Sequence, residues 1–227
     1  MRVLSTLAVQ GLLQDLGASL AREAGAEIAF VFEPTTLLLK RLRAAEPADV
    51  AILTAEGIDT LAREGHLADG SRIDVAVSEV GIAVRAGASK PDISTEDAVR
   101  TLLREVPSLC YSKAGASGIF FAKVLDRLGL AEAVARKATV IPSGFTAEQV
   151  ANGTCEIAIQ QLSELMQVPG VEIVGPLPDP IQERLTFSAA LVTRAAEPDA
   201  ARRFLRAITK PELALLYRRH GLIQAAA

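Results

Sequence analysis

Strand-like and helix-like segments alternate along this chain, and a long extended run breaks the alternation twice. Val3-Leu4 reads as a strand, Ala8 to Glu23 as a helix stopped by Gly25, and Glu27 to Phe32 as a strand. Thr36 to Ala45 reads as a helix, Val50 to Leu53 as a buried strand, and Ala55 to Glu64 as a helix. Ile73 to Arg85 then stays extended, with no helix directly after it, before the loop Ala86 to Pro91. A second series follows: strand Leu109 to Tyr111, helix Ile119 to Leu128, strand Ala138 to Ile141, helix Thr146 to Asn152, and strands Glu156 to Ile159 and Val171 to Gly175. Pro176-Leu177-Pro178-Asp179-Pro180 cannot continue into a sheet interior and reads as a linker. Leu185 to Thr193 is the second long extended run, and helices at 199–208 and 211–220 close the chain.

Strands followed by covering helices imply a parallel sheet with helices on its faces. One series interrupts the other, so the expected fold class is α/β with two lobes. Residues 1–80 plus 186–227 form lobe I and residues 81–185 form lobe II. Each lobe is a mainly parallel sheet flanked by helices, and the two crossing strands act as a hinge. A cleft between lobes is the default place for a ligand.

Half of the 227 residues are hydrophobic, 22% are charged, and the net charge is −3. That is a folded globular composition with both signs interleaved. It holds no basic run or face, so nucleic acid is not an expected partner. No apolar run reaches bilayer-spanning length, so the chain is not expected to be membrane-embedded. Cys110 and Cys155 stand apart without metal-ligand spacing and read as buried thiols at strand positions. His66 and His220 sit beside glycines at probable helix ends. No metal and no cofactor is expected, and a monomer is the expected state. Met1-Arg2-Val3-Leu4-Ser5 enters a strand at once, with no apolar leader segment before it. The corresponding expectation is a cytoplasmic location, or a periplasmic one if a leader was removed.

Hydroxyl or amide groups cluster where strands give way to helices. They are Ser5-Thr6, Glu33-Pro34-Thr35-Thr36, the loop Ser112-Lys113-Ala114-Gly115-Ala116-Ser117-Gly118, Ser143-Gly144-Phe145-Thr146, and Gln160-Gln161. Open α/β sheets bind ligands at the carboxyl ends of their strands. Helix starts offer backbone N–H groups and a positive dipole end, and glycines admit a ligand close to the backbone. Each cluster alone is more often an ordinary cap, with Ser112 or Ser117 satisfying an orphan amide, but four in register point to a ligand. The candidate ligand residues are Ser5, Thr6, Thr35, Lys113, Ser117, Gly118, Ser143, Gly144, Phe145, Gln160 and Gln161. The expected partner is a small anion, an oxyanion or a carboxylate.

Several segments carry a family likeness across essentially the whole chain. Pro47-Ala48-Asp49-Val50, Ala116-Ser117-Gly118-Ile119-Phe120-Phe121-Ala122-Lys123 with Leu128-Gly129-Leu130, Asn152-Gly153 with Glu156, and Pro211 to Leu222 fall in the order found in another group. The chain resembles type II periplasmic solute-binding proteins, in the branch that holds the molybdate-binding proteins of ABC importers. The resemblance implies a Venus-flytrap fold, an anionic solute, and an ABC permease as a possible partner. It places Ser5 and Thr35 at ligand-binding hydroxyls, Ser117 and Gly118 at an anion-binding helix start, and Ser143 to Phe145 near a backbone contact. Gln161 stands where that branch carries a tyrosine, and Lys113 adds a positive charge, which points toward an organic acid. Bacterial aconitate isomerases resemble the same branch. As an enzyme, the chain would be a cofactor-free isomerase, with Glu33 or Tyr111 holding a proton and Lys113 pairing with a carboxylate.

Overall fold

A computed structural model describes residues 1–225. The chain divides into two compact units, Met1–Ser78 with Leu185–Ala227 and Glu79–Arg184.

In the first unit the elements run β1 (Arg2–Ser5), α1 (Gln10–Ala24), β2 (Ala29–Phe32), α2 (Thr35–Arg43), β3 (Val50–Thr54), α3 (Ala55–Arg63) and the opening of β4 (Ile73–Arg85). β1 pairs in parallel with β2 and with β3, so Ser5 lies opposite both Phe32 and Ile52. Successive strand residues face opposite ways and load two cores. Val3, Val50 and Ile52 pack with Leu12, Leu13, Leu16 and Leu20 of α1. Leu4, Ala51 and Leu53 pack with Leu38 and Leu42 of α2 and Ile58 and Leu61 of α3.

The second unit takes up β4 at Glu79. It continues through α4 (Glu96–Glu105), β5 (Leu109–Ser112), α5 (Ala116–Leu128), α6 (Ala131–Ala135), β6 (Ala138–Ile141), α7 (Ala147–Ala151), β7 (Ile157–Gln161), α8 (Leu162–Leu165) and β8 (Val171–Pro176). β5 pairs in parallel with β6 and β7, while β4 runs antiparallel to β7 and β8. One face of this sheet is bulky: Val80, Ile82, Leu109, Ile157 and Ile159 meet Phe120, Phe121, Val124 and Leu125 of α5. The other is small: Ala83, Cys110 and Ala158 meet Ala147 and Val150 of α7 and Leu165 of α8.

The chain re-enters the first unit in β9 (Arg184–Leu191), which runs antiparallel to β3 and beside β4. There α9 (Pro198–Ile208) sets Phe204, Leu205 and Ile208 into the α1 core. A final α10 (Ala214–Arg219) buries Tyr217, whose hydroxyl donates to the Ile208 carbonyl at 2.8 Å. β10 (Ile223–Gln224) then pairs antiparallel with β4.

Several expected boundaries move. Helix α4 falls in a stretch read without an element, although Thr95 caps it by accepting from Ala98 N–H. The short helices α6 and α8 and strand β10 were likewise not read. Pro176 ends a strand rather than opening the linker; β8 pairs only with β4, and an edge strand tolerates proline. The last helix begins with a 3-10 turn at Pro211–Leu213. Most consequentially, α5 starts at Ala116 and not at Ile119, so Ser117 and Gly118 belong to its first turn.

Candidate functional site

The loop from β5 into α5 is shaped by backbone contact. A Cβ placed on Gly118 would lie 1.6 Å from the Ser112 carbonyl oxygen, and one on Gly115 would lie 2.6 Å from Ser112 Oγ. Only glycine lets the first turn of α5 sit this tightly on the end of β5. Gly115 is the N-cap residue, and the first helical bonds are made by Gly118 and Ile119 N–H to its carbonyl. At the base of the loop, Lys113 N–H donates to the Ile141 carbonyl at 2.8 Å. This ties the loop to the end of β6. The Lys113 side chain itself is exposed.

Ser112 and Ser117 are 2% and 1% exposed, and neither Oγ has a hydrogen-bond partner. They are therefore not the caps that their position allows. Gln161 ends β7, 1% exposed, with both amide atoms unpartnered. It follows Ile157 and Ile159 on the strand face that packs against α5. Ser112 and Gln161 thus end adjacent parallel strands, and Ser117 lies in the first turn of the 13-residue helix that follows Ser112. A buried polar atom without a partner costs roughly 1–3 kcal/mol, so three such residues at one place need an explanation.

Gln160 points the other way and is committed to the scaffold. Its Oε1 accepts from Thr146 N at 2.8 Å and Thr146 Oγ1 at 3.0 Å, and its Nε2 donates to the Gly144 carbonyl at 3.0 Å. It fixes the loop Ser143-Gly144-Phe145, in which Ser143 is exposed and Phe145 half-buried. Beyond Gln161, Glu164 is buried in the first turn of α8. Its carboxyl accepts from the Gln161 N–H and the Gln160 side chain. Burial nevertheless dominates and pushes this carboxyl up to about 8, so it is mainly protonated at neutral pH. Sequence reading missed Glu164. The signal was Glu three residues after the N-cap Gln161, the spacing at which a side chain reaches back to the cap N–H.

The first unit carries its own set. Glu33 N–H donates to the Ser5 carbonyl, which brings Pro34-Thr35 next to the end of β1. Ser5 is fully buried, and its hydroxyl donates to the neighbouring Thr6 carbonyl at 3.2 Å. Thr35 opens α2, 8% exposed, with Oγ1 unpartnered. Thr6 is buried beside them, its N–H donating to the Ile52 carbonyl.

Two residues considered for proton transfer have structural engagements. Glu33 pairs with Arg41 at 3.4 Å, in a group that includes Glu46 and Arg2. Tyr111 meets Phe121 edge-on, with ring centroids 5.3 Å apart. Among the described residues there is no group of three or more His, Cys, Asp or Glu side chains able to hold a metal ion. Cys110 lies in β5 and Cys155 just before β7, both buried. Burial, and next the neighbouring Cys155, push the Cys110 thiol up to about 12, which leaves it unreactive. No helix among the described residues is long and apolar enough to cross a membrane.

Comparison with known proteins agrees with this architecture. The chain is similar to the periplasmic molybdate-binding protein of Azotobacter vinelandii, with TM-score 0.82, 18% identity and all of both chains covered. It is also similar to a tungstate-binding protein from Desulfovibrio alaskensis, with TM-score 0.70, 14% identity, and 100% of this chain and 99% of that one covered. At these identities the likeness establishes the two-lobed periplasmic-binding fold class. An aconitate isomerase from a Pseudomonas species is 34% identical over 226 residues, covering 97% of this chain and 86% of that protein. The family model for bacterial extracellular solute-binding proteins matches residues 1–223, and the chain belongs to that family.

Proposed function

We propose that the protein binds a small organic acid through buried hydroxyls and one amide at the carboxyl ends of its strands. One observation carries the reading. Among the described residues, the buried side-chain nitrogens and oxygens without a partner belong to Thr35, Ser112, Ser117 and Gln161 and to no others. All four stand where a strand meets a helix. Three were named as ligand residues from sequence, and family membership supports a solute as what they serve. Each unit carries a set of its own, Thr35 in the first and Ser112, Ser117 and Gln161 in the second. Ser5 and Thr6 extend the first set. Lys113, Gly118 and the Ser143–Phe145 loop extend the second, Lys113 as a counter-charge.

The test is calorimetric titration with di- and tricarboxylic acids and with molybdate. The expected result is binding of an acid, with a rise in melting temperature, and loss of both in Ser117→Asp, which puts a negative charge at the helix start. No binding by the wild type, or unchanged binding by Ser117→Asp, rejects the reading.

A second reading is favoured by the 34% identical relative named as an aconitate isomerase. Here the same site would hold a tricarboxylate while a proton leaves one carbon and another is delivered elsewhere. Proton NMR of cis- and trans-aconitate incubated with the protein separates the readings: interconversion selects the enzyme, and binding without turnover the carrier.

A further inference from the structure

Gln161 ends β7 with a side chain that carries both a hydrogen-bond donor and an acceptor. Its amide is 1% exposed, and both Nε2 and Oε1 lack partners. Nε2 can only donate and Oε1 can only accept, so a ligand satisfying both atoms must itself bring a donor as well as an acceptor. The conclusion holds whichever way the amide is turned, since both ends are orphaned. The hydroxyls of Ser112 and Ser117 can each donate to an oxyanion. They do not meet the need of Gln161 Oε1, because none of the three residues is bonded to another. A fully deprotonated oxyanion has lone pairs everywhere and no hydrogen. It would leave the buried carbonyl unsatisfied and face it with like charge.

We infer that this site reads an O–H on the bound acid as well as its negative charge. The ligand is an acid that carries either a hydroxyl or one undissociated carboxyl group beside its carboxylates. The inference rests on the organic-acid reading above and narrows it. Within that class, Gln161 is the specificity-determining residue, touching the O–H from both sides of its hydrogen-bonding capacity. A site built to bond a substrate hydroxyl rejects the analogue lacking it, because its own buried polar group is left bare.

Matched pairs test this: malate against succinate, and citrate against tricarballylate, with molybdate as the acceptor-only anion. Titrations at pH 8 with the wild type are expected to favour each hydroxy acid by about 10- to 100-fold. In Gln161→Met, which keeps the length and removes both polar atoms, that ratio is expected to fall to about one. Repeating the series at pH 5 separates the two sources of the proton. A handicap of succinate that shrinks as it takes up protons assigns the reading to any acid O–H, and a constant handicap assigns it to the hydroxyl. Equal affinities within each wild-type pair, or molybdate binding as tightly as malate, overturn the inference and leave the anion-binding reading standing. Failure of every acid and of molybdate to bind overturns both. The wild-type ratios alone decide the matter should Gln161→Met fold poorly.

Discussion

The carbonyl oxygen of Ser112 sits 1.6 Å from the point where a side chain on Gly118 would begin. The end of β5 and the first turn of α5 are thus in backbone contact. Gly118→Ala has to drive them apart. It is expected to destabilise the fold by about 3 kcal/mol, or roughly 6–12 °C in melting temperature, and to abolish solute binding. A thermal melt checks the first effect and a titration the second.

Unbonded hydroxyls and bonded amides should respond oppositely to deletion. Ser112→Ala and Ser117→Ala remove groups that hold nothing in the free protein. Each should leave stability within about 0.5 kcal/mol of wild type or raise it, while weakening binding about tenfold or more. Gln160→Leu strips partners from Thr146 N–H and the Gly144 carbonyl. It should cost roughly 2–4 kcal/mol. Denaturant titrations beside binding curves distinguish the two patterns.

Stability should fall with rising pH through Glu164. Its carboxyl titrates near the usual carboxylate range when unfolded and is pushed to about 8 in the native protein. Between these values the native state holds a proton that the unfolded chain has released. The stabilisation is complete below the unfolded value and declines as pH climbs toward about 8. Glu164→Gln cannot titrate. The difference in melting temperature between wild type and Glu164→Gln should therefore turn increasingly in favour of the variant from about pH 5 to pH 9. A constant difference would show that Glu164 is not the source.

Ser188 Oγ on β9 donates to Asp74 Oδ1 on β4 at 2.6 Å, and this bond is the first cause holding the Asp74 carboxyl below its usual range, ahead of Arg72. Asp74 is 41% exposed, so the bond is worth only about 1 kcal/mol. The contribution is present above the ordinary carboxylate value and is lost as pH falls below it. Ser188→Ala should cost that amount at pH 7 and progressively less as the pH is lowered through and below the ordinary carboxylate value, measured by urea unfolding across that span.

Hydrophobic period and turn chemistry carried most of the fold. The continuous apolar run Val50 to Leu53, the spacing of Ile157 and Ile159, and the apolar faces of α1 and α5 mark elements that tertiary packing keeps. What escaped was short or locally ambiguous. Four-residue α8 has no room for a period, and α4 announces itself only by Thr95 and the charges after it. For the candidate site, the places of Ser117, Thr35 and Gln161 at strand-to-helix junctions were legible; that their polar atoms are buried without partners was not. That Gln160 is scaffold and Gln161 is not could not be read from two identical neighbours; the strand's alternation sends them to opposite faces, and only the contacts say which face holds Thr146. Glu164 was hidden because a lone glutamate after a strand is ordinarily solvated.

The insertion of one unit into the other has a bearing on biosynthesis. Residues 185–225 supply the strand that runs between β3 and β4 and the helix that covers α1. Until they leave the ribosome, the amino-terminal portion is a sheet missing a central member. The intervening unit is complete once Arg184 has emerged. The half of the molecule made second is therefore the half that can mature first, while the earliest-made strands wait, exposed to chaperones and proteases, for the tail to arrive.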